Sequence, residues 1–176
     1  MQNLSMPRAL TIVLVVTAAG LAVSFWAARA AAQIYSGSAP SVIFPVYQAT
    51  SLSSSQVISP EDLVKILRSP KGEKPLLLQV GSRVLYEEAH IPGSEYLGPA
   101  SSEIGIQKLR KRMEAFPRQK FVVLYCGCCP WSHCPNVKPA DDALRAMGFT
   151  NVKVLYIANN FGADWVDKGY PVAKGD

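Results

Sequence analysis

The chain has 176 residues and a formal net charge of +5. That length accommodates one domain with accessory segments, and an apolar fraction of 49% can build a core, which excludes a disordered chain. The only basic cluster, Lys108, Arg110, Lys111 and Arg112, has no interleaved aromatics and no recognisable motif, so it reads as a solvated helix face and excludes a nucleic-acid partner.

Arg8 precedes an apolar run over residues 9–28, and Ala30-Ala31-Ala32 comes next. A positive start, a long apolar stretch and an A-x-A site describe a signal peptide cut after Ala32, or a retained membrane anchor. Residues 1–32 are therefore read as a hydrophobic helix that exports the rest of the chain, to the periplasm or another extracytoplasmic space. A retained anchor would hold the chain to a membrane through residues 9–28. Residues 33–56 are rich in Ser, Ala and Pro and read as a linker or loosely packed arm.

The folded domain is expected over residues 57–176. Ser59-Pro-Glu-Asp62 is a helix start: a capping serine, proline at the first helical position, then acids. Leu76-Leu-Leu-Gln-Val80 is a buried strand, followed by Gly81 and Ser82 in what reads as a plain turn. A short helix over 84–89 leads to the turn His90-Ile-Pro-Gly93, where His90 is expected to hold backbone structurally. A short strand over 95–97 and an amphipathic helix over 106–115 come after it. Phe121-Val-Val-Leu-Tyr125 is a second buried strand. Asn136 then caps a helix that Gly148 ends. Residues 152–157 make another strand, and 160–168 a terminal helix. Strands alternate with helices, which predicts an α/β fold with a mostly parallel sheet and helices on both faces.

All four cysteines lie in one stretch, Cys126-Gly-Cys-Cys-Pro-Trp-Ser-His-Cys134, between a strand and a helix start. Backbone N–H groups at such a junction favour an anion, so a thiolate at Cys126 is stabilised and nucleophilic. An inert buried cysteine at a strand end is the plainer alternative. Cys128, Cys129 and Cys134 are candidate resolving or redox thiols, through a disulfide from Cys126 to Cys129 or Cys134. The adjacent Cys128 and Cys129 make a strained pair. Four thiolates and His133 also suit a soft metal, Cu(I) or Zn(II), as an alternative to a site without cofactor. A lone disulfide that staples the loop is the remaining reading. Gly127, Trp131, Ser132, His133 and Lys138 complete the loop and its pocket.

The chain resembles the rhodanese-like domain family, from about residue 57 to 172. The resemblance rests on Ile58-Ser-Pro-Glu-Asp-Leu63, Tyr86-Glu-Glu-Ala-His-Ile-Pro-Gly93, Val123-Leu-Tyr-Cys126, Gly148-Phe-Thr-Asn-Val152, and Trp165 with Gly169-Tyr-Pro-Val172. It implies a three-layer α/β fold and a sulfurtransferase in which Cys126 carries sulfane sulfur as a persulfide. The backbone after Cys126 would cradle the terminal sulfur. The partners implied are a small sulfur donor and a thiol or protein acceptor. Where the family has an acidic residue, valine and arginine, this chain has Gln79-Val-Gly81. Its loop is longer, carries three further thiols, and has no arginine before Arg145. The phosphatase relatives need an arginine where Ser132 stands. Thiosulfate, a dianion, should therefore be a poor donor, and the missing arginines leave a non-catalytic partner-binding domain of the same fold as an alternative.

Overall fold

In the computed structural model the described residues are 52–175. The apolar run 9–28, the cleavage site after Ala32 and most of the linker lie outside them. Among the described residues no helix is long and apolar enough to cross a membrane.

Five short strands form one sheet: β1 (Val57–Ile58), β2 (Leu76–Gln79), β3 (Glu95–Tyr96), β4 (Val122–Tyr125) and β5 (Val152–Leu155). Their order is β1-β5-β4-β2-β3, and every pairing is parallel. β4 and β2 are central and carry runs of Leu and Val, as strands buried on both faces must. The two-residue β1 was not legible in the sequence; it pairs Val57 with Val154 at the sheet edge.

The helices are α1 (Pro60–Arg68), α2 (Arg83–Glu88), α3 (Glu103–Met113) and α4 (Val137–Ala146). Ser59 caps α1 as expected, its side chain accepting from the Asp62 N–H. α3 begins earlier than its apolar periodicity indicates, because the Ser102 side chain accepts from the Gly105 N–H and starts the helix there. The expected terminal helix is a π-helical turn, Gly162–Val166, preceded by Phe161. It holds the buried Trp165, whose ring stacks on Phe161.

Side chains alternate across a strand, and β4 shows what that does. Val123 and Tyr125 join α1 residues, Ile157, Phe161 and Trp165 in one core layer. Val122, Leu124 and then Cys126 join Leu109 and Met113 of α3 and Val137 and Leu144 of α4 in the other. The sheet therefore has a core on each face. Cys126 continues the strand's alternation into the α3–α4 layer.

Gln56, assigned by composition to the end of the linker, belongs to the folded unit. Its amide donates to Asp141 Oδ2 of α4 at 2.8 Å, and Arg145 Nε donates to the same oxygen at 2.8 Å.

Candidate functional site

The loop after β4 leaves the sheet at Cys126, whose carbonyl and side chain are both held. Gln79, at the end of β2, donates from Nε2 to the Cys126 carbonyl at 3.0 Å. Its Oε1 accepts from the Gly81 N–H at 3.0 Å. Gln79 is thus a two-ended clamp between the β2 and β4 loop ends, and it is buried. Gly81 lies against Cys126: a Cβ there would stand 2.7 Å from Cys126 Sγ and 3.1 Å from its carbonyl oxygen. So Gly81 is more than a turn residue. Its missing side chain is the space that the sulfur occupies.

Gly127 has φ +76° and turns the chain sharply. A Cβ there would meet Phe161 at 2.7 Å, and its carbonyl accepts from the Phe161 N–H at 3.0 Å. The turn brings Cys128 Sγ to 3.0 Å from Cys126 Sγ, and Cys129 Sγ lies 3.3 Å from Cys128 Sγ. The sulfurs of Cys126, Cys128 and Cys129 all lie within 4.8 Å of one another. Cys134 stands outside that triplet but interacts with Cys126 and Cys129.

The expected cap at Asn136 is absent. Its side chain caps nothing and turns into the loop instead. Nδ2 points at Cys126 Sγ from 3.3 Å and at Cys128 Sγ from 3.9 Å. Oδ1 accepts from the Ser101 N–H at 2.9 Å, which fixes the amide's orientation. The first amides of α4 serve a different sulfur from the one expected: the N–H groups of Asn136 and Val137 bond Cys134. The positive helix end therefore acts on Cys134, while Cys126 receives a side-chain amide.

The charge is shared unevenly. Hydrogen bonding from Cys126 is the main cause that lowers Cys128 to about 6. The same donor, with the Asn136 and Val137 amides, lowers Cys134 to about 7. Cys126 is pushed up, first by its bonds to Cys128 and Cys134 and then by burial, so it stays a thiol while its neighbours ionise. Burial first, then Cys128, raises Cys129 to about 12.

A cavity of ≈ 10 Å³ adjoins Cys126, lined among others by Cys129, Trp131, Cys134, Val137 and Ile157. That is room for about one water-sized group. Trp131 closes this side with its ring 5.1 Å from that of Tyr156.

The remaining expected loop residues stand apart from the sulfurs. Ser132 and His133 are exposed and bond each other, Oγ to Nδ1 at 2.8 Å. Lys138 pairs with Asp142 one turn along α4. His90 is structural: Nδ1 contacts the Tyr86 carbonyl at 2.8 Å, and its backbone pairs with Ala173. The turn that it begins docks on β4, where the Ile91 N–H and Ser94 Oγ both bond Tyr125 Oη. Tyr125 directly precedes Cys126, so this turn steadies the strand end that presents the thiol.

A family model described as the rhodanese-like domain matches residues 59–156. The chain belongs to the rhodanese-like domain family. Solved structures agree on the fold. A rhodanese-like domain from Anabaena sp. is 20% identical with a TM-score of 0.50, over 68% of this chain and 79% of that one. A Bacillus halodurans protein is 21% identical with a TM-score of 0.51, over 68% and 77%. A full-length protein from Lactobacillus plantarum is 19% identical with a TM-score of 0.50, over 68% and 88%. No curated protein matches this sequence. Within the rhodanese-like frame, Gln79, Gly81 and Asn136 are site residues to which the sequence pattern alone assigns other roles or none. The departure Gln79-Val-Gly81 was visible signal for the first two. Nothing in the sequence distinguished Asn136 from an ordinary cap.

Proposed function

We propose that the protein is an exported sulfurtransferase in which Cys126 takes sulfane sulfur from a small donor and passes it to a thiol acceptor. The observation that carries this reading is Cys126 at the end of β4, beside a cavity for one small group and under the Asn136 amide. Cys126 Sγ, under the Asn136 amide at 3.3 Å, attacks the donor's outer sulfur; the donor leaves with the bonding pair, and its thiolate takes up the Cys126 proton. An acceptor thiolate attacks the terminal sulfur of the persulfide and regenerates Cys126. The absence of an arginine between Cys126 and Arg145 favours a neutral or thiol-bound persulfide donor over thiosulfate. Export rests on Arg8 and the apolar run 9–28. The test is loading from a persulfide donor: reduced wild type releases one equivalent of the donor's thiol, and Cys126→Ser releases none.

One observation favours a second reading, a soft-metal site at Cys126, Cys128 and Cys129. Three clustered thiols match Cu(I). They match Zn(II) less well, because its fourth ligand would have to come from Cys134, outside the triplet, or His133, turned to Ser132. Loss of one stoichiometric bound metal from every single variant of the triplet would select this reading over sulfur transfer.

A further inference from the structure

The cysteine contacts separate the thiols into two groups around Cys126. Cys129 and Cys134 line the cavity beside it, with Trp131 and Val137. Cys128 does not line that cavity, yet its sulfur is 3.0 Å from Cys126 Sγ. A terminal sulfur carried by Cys126 has that small space beside it. Displacement at a disulfide-type sulfur needs a thiolate in contact with the sulfur under attack, and Cys128 Sγ has that contact with Cys126 Sγ.

From this arrangement we infer that Cys128 resolves the Cys126 persulfide within the same chain, releasing sulfide and leaving a Cys126–Cys128 disulfide. This rests on the sulfurtransferase reading above. The Cys128 thiolate attacks Cys126 Sγ, forming the Cys128–Cys126 S–S bond. The bond from Cys126 Sγ to the terminal sulfur breaks, and its electron pair leaves with that sulfur as hydrosulfide. The sulfane sulfur is reduced to sulfide, and the two cysteines are oxidised by the same two electrons. An external dithiol then reduces the disulfide and returns both thiols. No oxidant is required.

The local structure suits closure. A disulfide needs the sulfurs at about 2.05 Å, so roughly 1 Å of approach remains. The left-handed φ of Gly127, +76°, folds the chain back between the two cysteines. Asn136 Nδ2 reaches both sulfurs and stabilises charge on either. Cys128 is also half-buried where Cys126 is buried, so a reductant meets it first.

The experiment starts from fully reduced protein under anaerobic conditions. One equivalent of glutathione persulfide is added, small molecules are removed, and no further thiol is supplied. Wild type should release an equivalent of sulfide while its intact mass falls by two hydrogens. Cys128→Ser should gain one sulfur and hold it until an external thiol is added. The double variant Cys129→Ser/Cys134→Ser retains only the proposed pair, and it should still release sulfide and lose two hydrogens. Wild type that keeps its added sulfur until a thiol arrives overturns the inference and leaves sulfur transfer standing. So does a Cys128→Ser protein that releases sulfide as fast as wild type. A Cys128→Ser protein that never gains sulfur, although folded by circular dichroism, removes the sulfurtransferase reading and this inference together.

Discussion

A single amide reaches two sulfurs. Asn136 is buried, held by the Ser101 N–H, and donates toward Cys126 and Cys128. Asn136→Ala removes that donor and leaves the Ser101 N–H without its side-chain acceptor. A lost hydrogen bond of this kind costs about 1–3 kcal/mol, to be read by chemical denaturation of the reduced protein. The same variant should raise the pH at which the cluster alkylates, because the thiolate loses a stabilising bond. Gly81 works by absence. Gly81→Ala places a methyl 2.7 Å from Cys126 Sγ, closer than any real contact allows. Either the β2 loop end or the sulfur must shift. The expected result is destabilisation of about 1–3 kcal/mol together with slower persulfide loading. Loading at the wild-type rate would show that the sulfur moves freely in its site.

At the scale of elements, the site is a strand end, a loop and a helix start, each giving one kind of group. β4 supplies Cys126 by alternation, the loop supplies Cys128 and Cys129, and α4 supplies amides to Cys134. The ionisation of Cys128 makes a pH prediction. Iodoacetamide reacts with thiolate, so the Cys128 rate should rise with pH and reach half its plateau near about 6, well below the ordinary value of 9.0. Below that pH the thiolate is protonated and the rate falls. A rate that still climbs steeply at pH 8 would contradict the lowered ionisation. Much of this element pattern was readable in the sequence. Leu76-Leu-Leu and Val122-Val-Leu announce buried strands, and Ser59 with Pro60 announces a helix start. The pairing of Cys126 with Cys128 was not readable. In an extended chain residues two apart lie on one face but well separated. Only the left-handed turn at Gly127 folds them together, and a glycine by itself permits many other paths. Asn136 was illegible for a related reason: a cap and a donor to sulfur require the same side chain.

At the scale of the whole molecule, the proposed export would set the compartment in which this site works. The +5 charge is modest, and the first two cations after the loop in sequence are engaged: Lys138 with Asp142, Arg145 with Asp141. Nothing in that arrangement recruits a dianionic donor, so thiosulfate should load Cys126 more slowly than glutathione persulfide under identical conditions. A steady-state comparison with thiosulfate as the better donor would overturn this. The thiols themselves constrain where the domain can work. An exported domain with four cysteines meets an oxidising environment, where a close pair such as Cys126 and Cys128 rests as a disulfide unless a dithiol reductant serves it. Export is the remaining premise, and it rests on Arg8 before the apolar run 9–28. Alkaline phosphatase, which requires disulfides, should be active when fused after Asp176, and a reporter that works only in the cytoplasm should be silent there. Replacing three apolar residues of the run with Asp should reverse both results, because each charge at the centre of such a helix costs about 2.5–3.5 kcal/mol of insertion. Reporter activity confined to the cytoplasm in the unaltered chain would put the thiols in a reducing space. The Cys126–Cys128 pair would then be held open by the bulk thiol pool, and sulfide release would need no dedicated reductant.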